Sequence, residues 1–247
     1  MELFDEEDEE ELGREGPLDE LTIAERESLL QQRDPSCSVL SFHNGIEDAM
    51  LLFVERFLQQ NLQKQSANGR ETISLAALRA VDIFCYSRHW MMHIGDQKGK
   101  LLDEIVNKLQ SPQQDLVLTC VEIGSYCGYS AVRIASLFRN DQSKLFCIER
   151  DARCLEWTRK LVSLAGLSDR VILIDGECED GIRYLQQNHP QPIDFLFIDH
   201  DKGMYLSDLK LFEETGLLRS PGGIVCADNV LSLGRPLEDY MNHVRGM

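Results

Sequence analysis

A basic stripe, a long apolar run and any Cys-x-x-Cys pair are all missing from this 247-residue chain. Each absence excludes a class of function. Without clustered Lys and Arg nothing neutralises phosphates, so nucleic acid is not an expected partner. The longest apolar run near the N-terminus, Ala49–Val54, falls far short of the roughly 20 residues that a bilayer-crossing helix needs. No membrane span is expected. The N-terminus is acidic and has no charged-then-apolar leader, so a cytoplasmic location is expected. The eight cysteines (37, 85, 120, 127, 147, 154, 178 and 226) are scattered, several inside apolar runs, with no Cys/His ligand spacing. They read as reduced, packed thiols rather than zinc ligands.

Negative charge is plentiful but uneven. The chain carries a net charge of -17, of which residues 1–30, with 13 Asp/Glu against 2 Arg, account for -11 and the remainder for -6. Residues 1–35 read as a solvated, disordered acidic tail, with an interaction tail as the second reading. The rest, 36–247, reads as one domain with a helical lead-in over 43–110 and an α/β core over 115–247. A weakly helical stretch falls at 20–33. Helical spacing of apolar residues follows at 46–65, 73–88 and 97–109, with a Ser-Ala-Asn-Gly break at 66–69 and Ser111-Pro112 as a stop. Apolar strand-like runs then occur at 116–123, 144–149, 171–175, 193–199 and 223–228. Helical segments near 128–138, 152–165, 178–188 and 205–215 separate them. This alternation predicts an α/β fold, a doubly wound, mostly parallel sheet with helices on both faces. Such folds bind ligands outside the carboxyl ends of the strands, at the topological switch point.

The polar motifs fall at those strand ends. Val121–Ser130 (VEIGSYCGYS) leads from a strand into a helix, with Gly124 and Gly128 allowing a tight turn and close approach to a ligand. It is not the GxGxxG fingerprint, so no pyrophosphate cradle follows. Glu149 ends the next strand, where an acidic residue receives ribose hydroxyls. A nucleoside-bearing ligand without a pyrophosphate fits best, against a purely structural glycine turn. Glu122 reads equally as a supporting carboxylate or a capping group. The run Ile193–Ile198 ends abruptly in Asp199, His200, Asp201 and Lys202.

Four separated stretches, Ser87–Lys100 (SRHWMMHIGDQKGK), Val121–Ala135 (VEIGSYCGYSAVRIA), Ile198–Tyr205 (IDHDKGMY) and Cys226–Val230 (CADNV), resemble the catechol O-methyltransferase family. The similarity covers roughly 73–246. It implies a Rossmann-like class I methyltransferase fold. It also implies Mg2+-dependent transfer of a methyl group from S-adenosyl-L-methionine to a hydroxyl of a catecholamine-type catechol. By position Asp199, Asp228 and Asn229 match metal ligands, and Lys202 matches the general base. Glu149 matches the ribose carboxylate. Met92, Ile94, Glu122, Gly124, Tyr126, Ser130, Cys178, Asp199 and His200 match positions around the cofactor. Trp90, Lys202, Asn229 and Leu233 match positions around the substrate. The chemistry of the residues agrees: two carboxylates and an amide oxygen at two strand ends suit a hard cation, although each acid alone would more often cap a helix. A nearby cation would lower the pKa of Lys202, as a base requires, although a lone lysine there would be an ordinary surface residue. Trp90, Met91 and Met92 read as the wall of a dry cleft or as core.

The chain also departs from the family. Asp201 stands where the family commonly has a tryptophan beside the adenine, Leu233 replaces a proline facing Trp90, and Glu177-Cys178-Glu179 replaces a small-small-Gln stretch. Family members continue past the His243–Gly246 match and add two strands, whose absence is expected to leave the fifth strand as an open edge. Two alternatives stand beside the leading expectation: an O-methyltransferase acting on another vicinal-diol phenol, and a cofactor-binding but inactive or regulatory form.

Overall fold

Each apolar run of the second half becomes a strand of one sheet. The computed structural model describes residues 45–62, 69–110, 116–231 and 237–246, with Ala24 and Ser28 as isolated helical positions. The acidic tail over 1–35 and Leu233 therefore lie outside the described residues, apart from those two positions. In chain order the elements are α1 (Ile46–Leu62), α2 (Gly69–Ser87), α3 (Gly95–Leu109), β1 (Thr119–Ile123), α4 (Tyr129–Ser136), β2 (Lys144–Glu149) and α5 (Ala152–Leu164). There follow β3 (Val171–Asp175), α6 (Cys178–Asn188), β4 (Phe195–Ile198), α7 (Tyr205–Glu214), β5 (Ile224–Ala227) and α8 (Glu238–Arg245). The expected doubly wound architecture is present. Two details differ: α2 already begins at Gly69, inside the stretch read as a break, and α8 was not anticipated. A glycine is tolerated in a first helical turn because the N–H groups there lack intrahelical partners anyway.

All strand pairs are parallel, in the order β3-β2-β1-β4-β5. The order reverses between β1 and β4, so the crevice at their carboxyl ends is the switch point. Successive side chains of β4 enter opposite layers: Phe195 and Phe197 join one core, Leu196 and Ile198 the other. β2 does the same with Leu145 and Cys147 against Phe146 and Ile148. A strand buried on both faces has no polar side to show, hence the near-continuous apolar runs. The first core takes the apolar faces of α1 to α5, through residues such as Val54, Val81, Val106, Ile134 and Leu161; the second takes those of α6, α7 and α8, including Ile182, Phe212 and Tyr240. The described cysteines are free thiols, buried except for the half-buried Cys226.

Candidate active site

At the switch point the β1–α4 loop runs directly against the end of β4. Gly124 has φ +88°, and a methyl group there would lie 2.8 Å from the Asp199 carbonyl and from His200 Cβ. Only glycine permits that backbone and that approach. Two residues later Tyr126, at φ 47°, occupies the left-handed region without being glycine. Such strain persists where the surroundings over-determine it. Here the Tyr126 hydroxyl donates to Glu47 of α1 (3.0 Å), its N–H donates to Glu149 (3.1 Å), and Thr158 donates to its carbonyl (3.1 Å). The Glu149 carboxylate also accepts the N–H groups of Ser125 and Asp151, each at 3.0 Å. Three of its roughly four lone-pair positions are thus filled by backbone, which fixes its orientation and leaves capacity for one more donor.

A cleft of about 370 Å³ opens over these strand ends. Ile123, Ile148, Met92 and Cys178 supply apolar wall, and Gly124, Tyr126, Glu149, Asp199 and His200 supply polar atoms. The His200 ring is held by Nε2 donating to Asp208 (2.7 Å), while its buried Nδ1 has no hydrogen-bond partner among the described residues.

Beside this cleft the ends of β4 and β5 form a second, more highly charged corner. The Asp199 N–H donates to the Ile123 carbonyl and the Asp228 N–H to the Ile198 carbonyl, both at 3.0 Å, so the ladder carries the two acids into register at neighbouring strand ends. Asn229 follows in the left-handed region at φ 58°, with its N–H donating to Asp228 Oδ1 at 2.8 Å. Two ammonium groups meet these oxygens. Lys202 Nζ donates to Asp199 Oδ1 (3.0 Å) and to the Tyr205 hydroxyl, and lies 4.7 Å above the Tyr205 ring centre. Lys98, reaching across from α3, pairs with Asp228 Oδ2 and lies 3.4 Å from Asn229 Oδ1. The fully buried Tyr205 donates in turn to the Asp228 carbonyl at 3.1 Å. Burial pushes the Asp199 carboxyl above the usual range, the Lys202 ammonium opposes this, and the neighbouring Asp228 charge adds to it.

The donor chemistry of this corner suits a hard cation. Among the described residues no three His, Cys, Asp or Glu side chains cluster as metal ligands. The oxygens available are two carboxylates and one amide, already gathering ammonium groups, as a partly hydrated oxygen-ligand ion such as Mg2+ requires. Soft or imidazole donors, which favour zinc, are not part of the set.

The remaining expected residues divide by position. Trp90 and Ile94 line an adjoining cavity of about 330 Å³ together with Cys85, Tyr86, His93 and Lys98. Glu122 and Ser130 are not among the walls of the nucleotide-side cleft. Glu122 is fully buried and accepts from the Ser130 hydroxyl and from Cys147 Sγ (3.3 Å). Burial raises its carboxyl from an ordinary 4.5 to about 7, against the opposing pull of those two hydrogen bonds. These two residues brace the loop from behind. Sequence reasoning passed over Lys98 and Tyr205 as site residues, although both stand inside quoted motifs. Their partners Asp228 and Asn229 belong to a different motif, 130 residues on in the case of Lys98 and Asp228.

The described residues form a five-stranded parallel sheet with helices on both faces and a polar cleft at its switch point, a Rossmann-like architecture. Solved structures share that fold. An O-methyltransferase from Bacillus cereus in complex with SAH superposes with a TM-score of 0.56 at 20% identity, covering 80% of this chain and 88% of that one. TomG from Streptomyces achromogenes in complex with SAM gives 0.55 at 20% identity, over 78% and 84%. The O-methyltransferase family model matches residues 63–246, and the chain belongs to that family, in the branch of the catechol O-methyltransferases. It is 37% identical to catechol O-methyltransferase of Bos taurus over 78% of this chain and 66% of that one. Catechol O-methyltransferase B of Danio rerio is 39% identical over 69% and 61%, and the Sus scrofa protein 40% identical over 63% and 78%. The chain thus spans about three fifths to two thirds of the cattle and zebrafish relatives.

Proposed function

We propose that this protein transfers a methyl group from S-adenosyl-L-methionine to one hydroxyl of a catechol, with Mg2+ held by Asp199, Asp228 and Asn229. The observation that carries this reading is the double position of Asp199. It lines the nucleotide-side cleft and at the same time holds Lys202 Nζ at 3.0 Å, next to the Asp228–Asn229 corner. Methyl donor, acceptor oxygen and base can therefore meet at one strand end.

A divalent ion, when bound, supplies positive charge that favours the ionised form of a phenol, whose pKa is otherwise ~10. The chain's own residues do the rest. Glu149, with one accepting position left, receives a ribose hydroxyl. Met92, Ile123 and Ile148 would offer the donor apolar surface. Dry walls favour a reaction in which opposite charges vanish, because the separated ions lose their hydration. Trp90 and Lys98 border the cavity that would take the acceptor ring. Lys202, in its neutral form, takes the proton of the reacting hydroxyl, and Tyr205 and Asp199 hold its nitrogen in place. The oxygen then bonds to the methyl carbon while the sulfur–carbon bond breaks, leaving the neutral thioether S-adenosylhomocysteine.

No described helix is long and apolar enough to cross a membrane, and a cytoplasmic enzyme with a small-molecule substrate is part of this reading. The test is methyl transfer to a simple catechol with and without a chelator. Product formation that stops with chelator and returns with Mg2+ is expected. Chelator-insensitive turnover, or equal rates on a monophenol, would remove the metal and the paired hydroxyls from the mechanism.

A further inference from the structure

We infer that His93 is a positioning residue for both halves of the reaction. Buried against Asp82 and Tyr129, it fixes the segment 88–94 so that Met92 faces the donor cleft and Trp90 the acceptor cavity. This rests on the proposed reading of those two cavities. The segment joins α2 to α3 without regular structure of its own, and its side chains alternate between inward and outward as on a strand. Met91 is 3% exposed and the His93 side chain 9%, whereas Trp90 is 40% and Met92 48% exposed. Met92 lines the nucleotide-side cleft and Trp90 the adjoining cavity. Walls of two different sites thus hang from one stretch of backbone, and the inward residues decide where both stand.

Met91 supplies apolar packing in the core shared with the N-terminal helices. His93 supplies direction. Its Nδ1 lies 3.2 Å from the Met91 carbonyl, and because a carbonyl only accepts, Nδ1 carries the proton of that hydrogen bond. Nε2 faces Asp82 Oδ1 at 3.6 Å, too far for a hydrogen bond, and among the described residues neither atom has a hydrogen-bond partner. Both side chains are buried, so their attraction is little screened by solvent. The imidazole also meets the Tyr129 ring edge-on, with centroids 4.7 Å apart and an interplanar angle of 83°, an arrangement that aromatic rings favour. The frame behind His93 is itself fixed. The Tyr129 hydroxyl donates to Asp82 Oδ2 at 3.0 Å and accepts from Arg133 at 3.2 Å, and Arg133 grips both carboxylate oxygens of Asp103 at 2.7 and 2.6 Å. This network joins α2, α4 and α3, and His93 is its member on the segment that carries the two walls.

The experiment is a pair of double-mutant cycles. S-adenosylhomocysteine is titrated calorimetrically into the native chain, His93→Ala, Met92→Ala and the double variant. Methyl transfer to catechol itself is followed in the native chain, His93→Ala, Trp90→Ala and their double variant. His93→Ala is expected to weaken S-adenosylhomocysteine binding about three- to tenfold. It is expected to lower kcat/KM by up to about 100-fold, the effect of a wall misplaced by about 1 Å. In the Met92→Ala background its effect on binding is expected to shrink to within about twofold, and its effect on KM likewise in the Trp90→Ala background, since residues that act through one another are not additive. A residue that only stabilised the fold would give additive effects, and additivity in both cycles overturns the inference. So does a folded His93→Ala with native binding and kcat/KM. If His93→Ala does not fold, His93→Gln, whose amide can still donate to Asp82, carries both cycles under the same criteria. Iodide quenching of tryptophan emission reads the segment without any ligand. Trp157 is 4% exposed, so quenching reports Trp90, and His93→Ala is expected to increase it. Unchanged quenching also overturns the inference. Failure of the native chain to bind S-adenosylhomocysteine refutes the donor reading instead, and the quenching result then decides by itself whether His93 holds the segment.

Discussion

Glu122 shows how a single side chain can couple folding to pH. It is completely buried, and its carboxyl titrates near 7 rather than 4.5 because ionising it away from water is costly. A raised folded-state value means that the neutral form stabilises the fold fully below the ordinary value, and that this stabilisation is lost as pH rises through 7. The shift from 4.5 to about 7 corresponds to on the order of 3 kcal/mol. Glu122→Gln removes the titration. Between about pH 5 and pH 8 the native melting temperature is expected to fall by several degrees relative to that of the variant. Parallel curves in differential scanning calorimetry would show that Glu122 ionises without cost. Lys202 gives a kinetic counterpart. Lys202→Met is expected to lower kcat by about two to four orders of magnitude while leaving S-adenosylhomocysteine affinity close to native, since the side chain serves the proton and not the nucleoside. The base role of Lys202 is expected from the sequence, whereas the burial of Glu122 is not visible there. Glu122 looked equally like a cap, and only the packing of Ser130 and Cys147 around it settles that it is internal.

At the scale of elements, the contacts between strand ends and helices carry the site. Gly124 and Gly166 both have positive φ, but a side chain at 124 would strike the Asp199 backbone whereas 166 has open space around it. Gly166→Ala is expected to cost only the backbone strain, roughly 1 kcal/mol. Gly124→Ala must also separate β1 from β4, so it is expected to lower the melting temperature further and to abolish calorimetric binding of S-adenosylhomocysteine. Equal effects of the two substitutions would deny the close approach. The pairing of Lys98 with Asp228 and Asn229 places a tethered cation on the oxygens proposed for the metal. Lys98→Met is therefore expected to tighten Mg2+ binding several-fold in a calorimetric titration, because the ion no longer competes with an ammonium. Unchanged affinity would mean that the lysine moves aside without cost. The elements themselves were largely legible: β2, β3 and α6 fall within the residues their apolar patterns predict. The contact between α3 and the end of β5 was not, since no periodicity spans it.

At the scale of the whole molecule, the sheet lies between two cores of described residues. Phe197 is 1% exposed and belongs to the core shared with the N-terminal helices, while its neighbours Leu196 and Ile198 belong to the other. Phe197→Ala is expected to cost about 3–5 kcal/mol, observed as a lowered midpoint in denaturant unfolding, and to weaken binding at the β4 end that it supports. Chain patterning by itself determined the alternation of strands and helices, the strands' two-sided burial and the gathering of polar residues at their carboxyl ends. Those features depend on periodicity and turn chemistry within a few residues, and so are written locally. Tertiary structure alone decided which polar groups meet: Lys98 with Asp228, His93 with Asp82, Tyr205 beneath Lys202, and Glu122 sealed behind the loop. Parallel crossovers bring these groups together from distant segments, and an ion pair or a buried carboxyl depends on distance and desolvation in space, which no local pattern encodes.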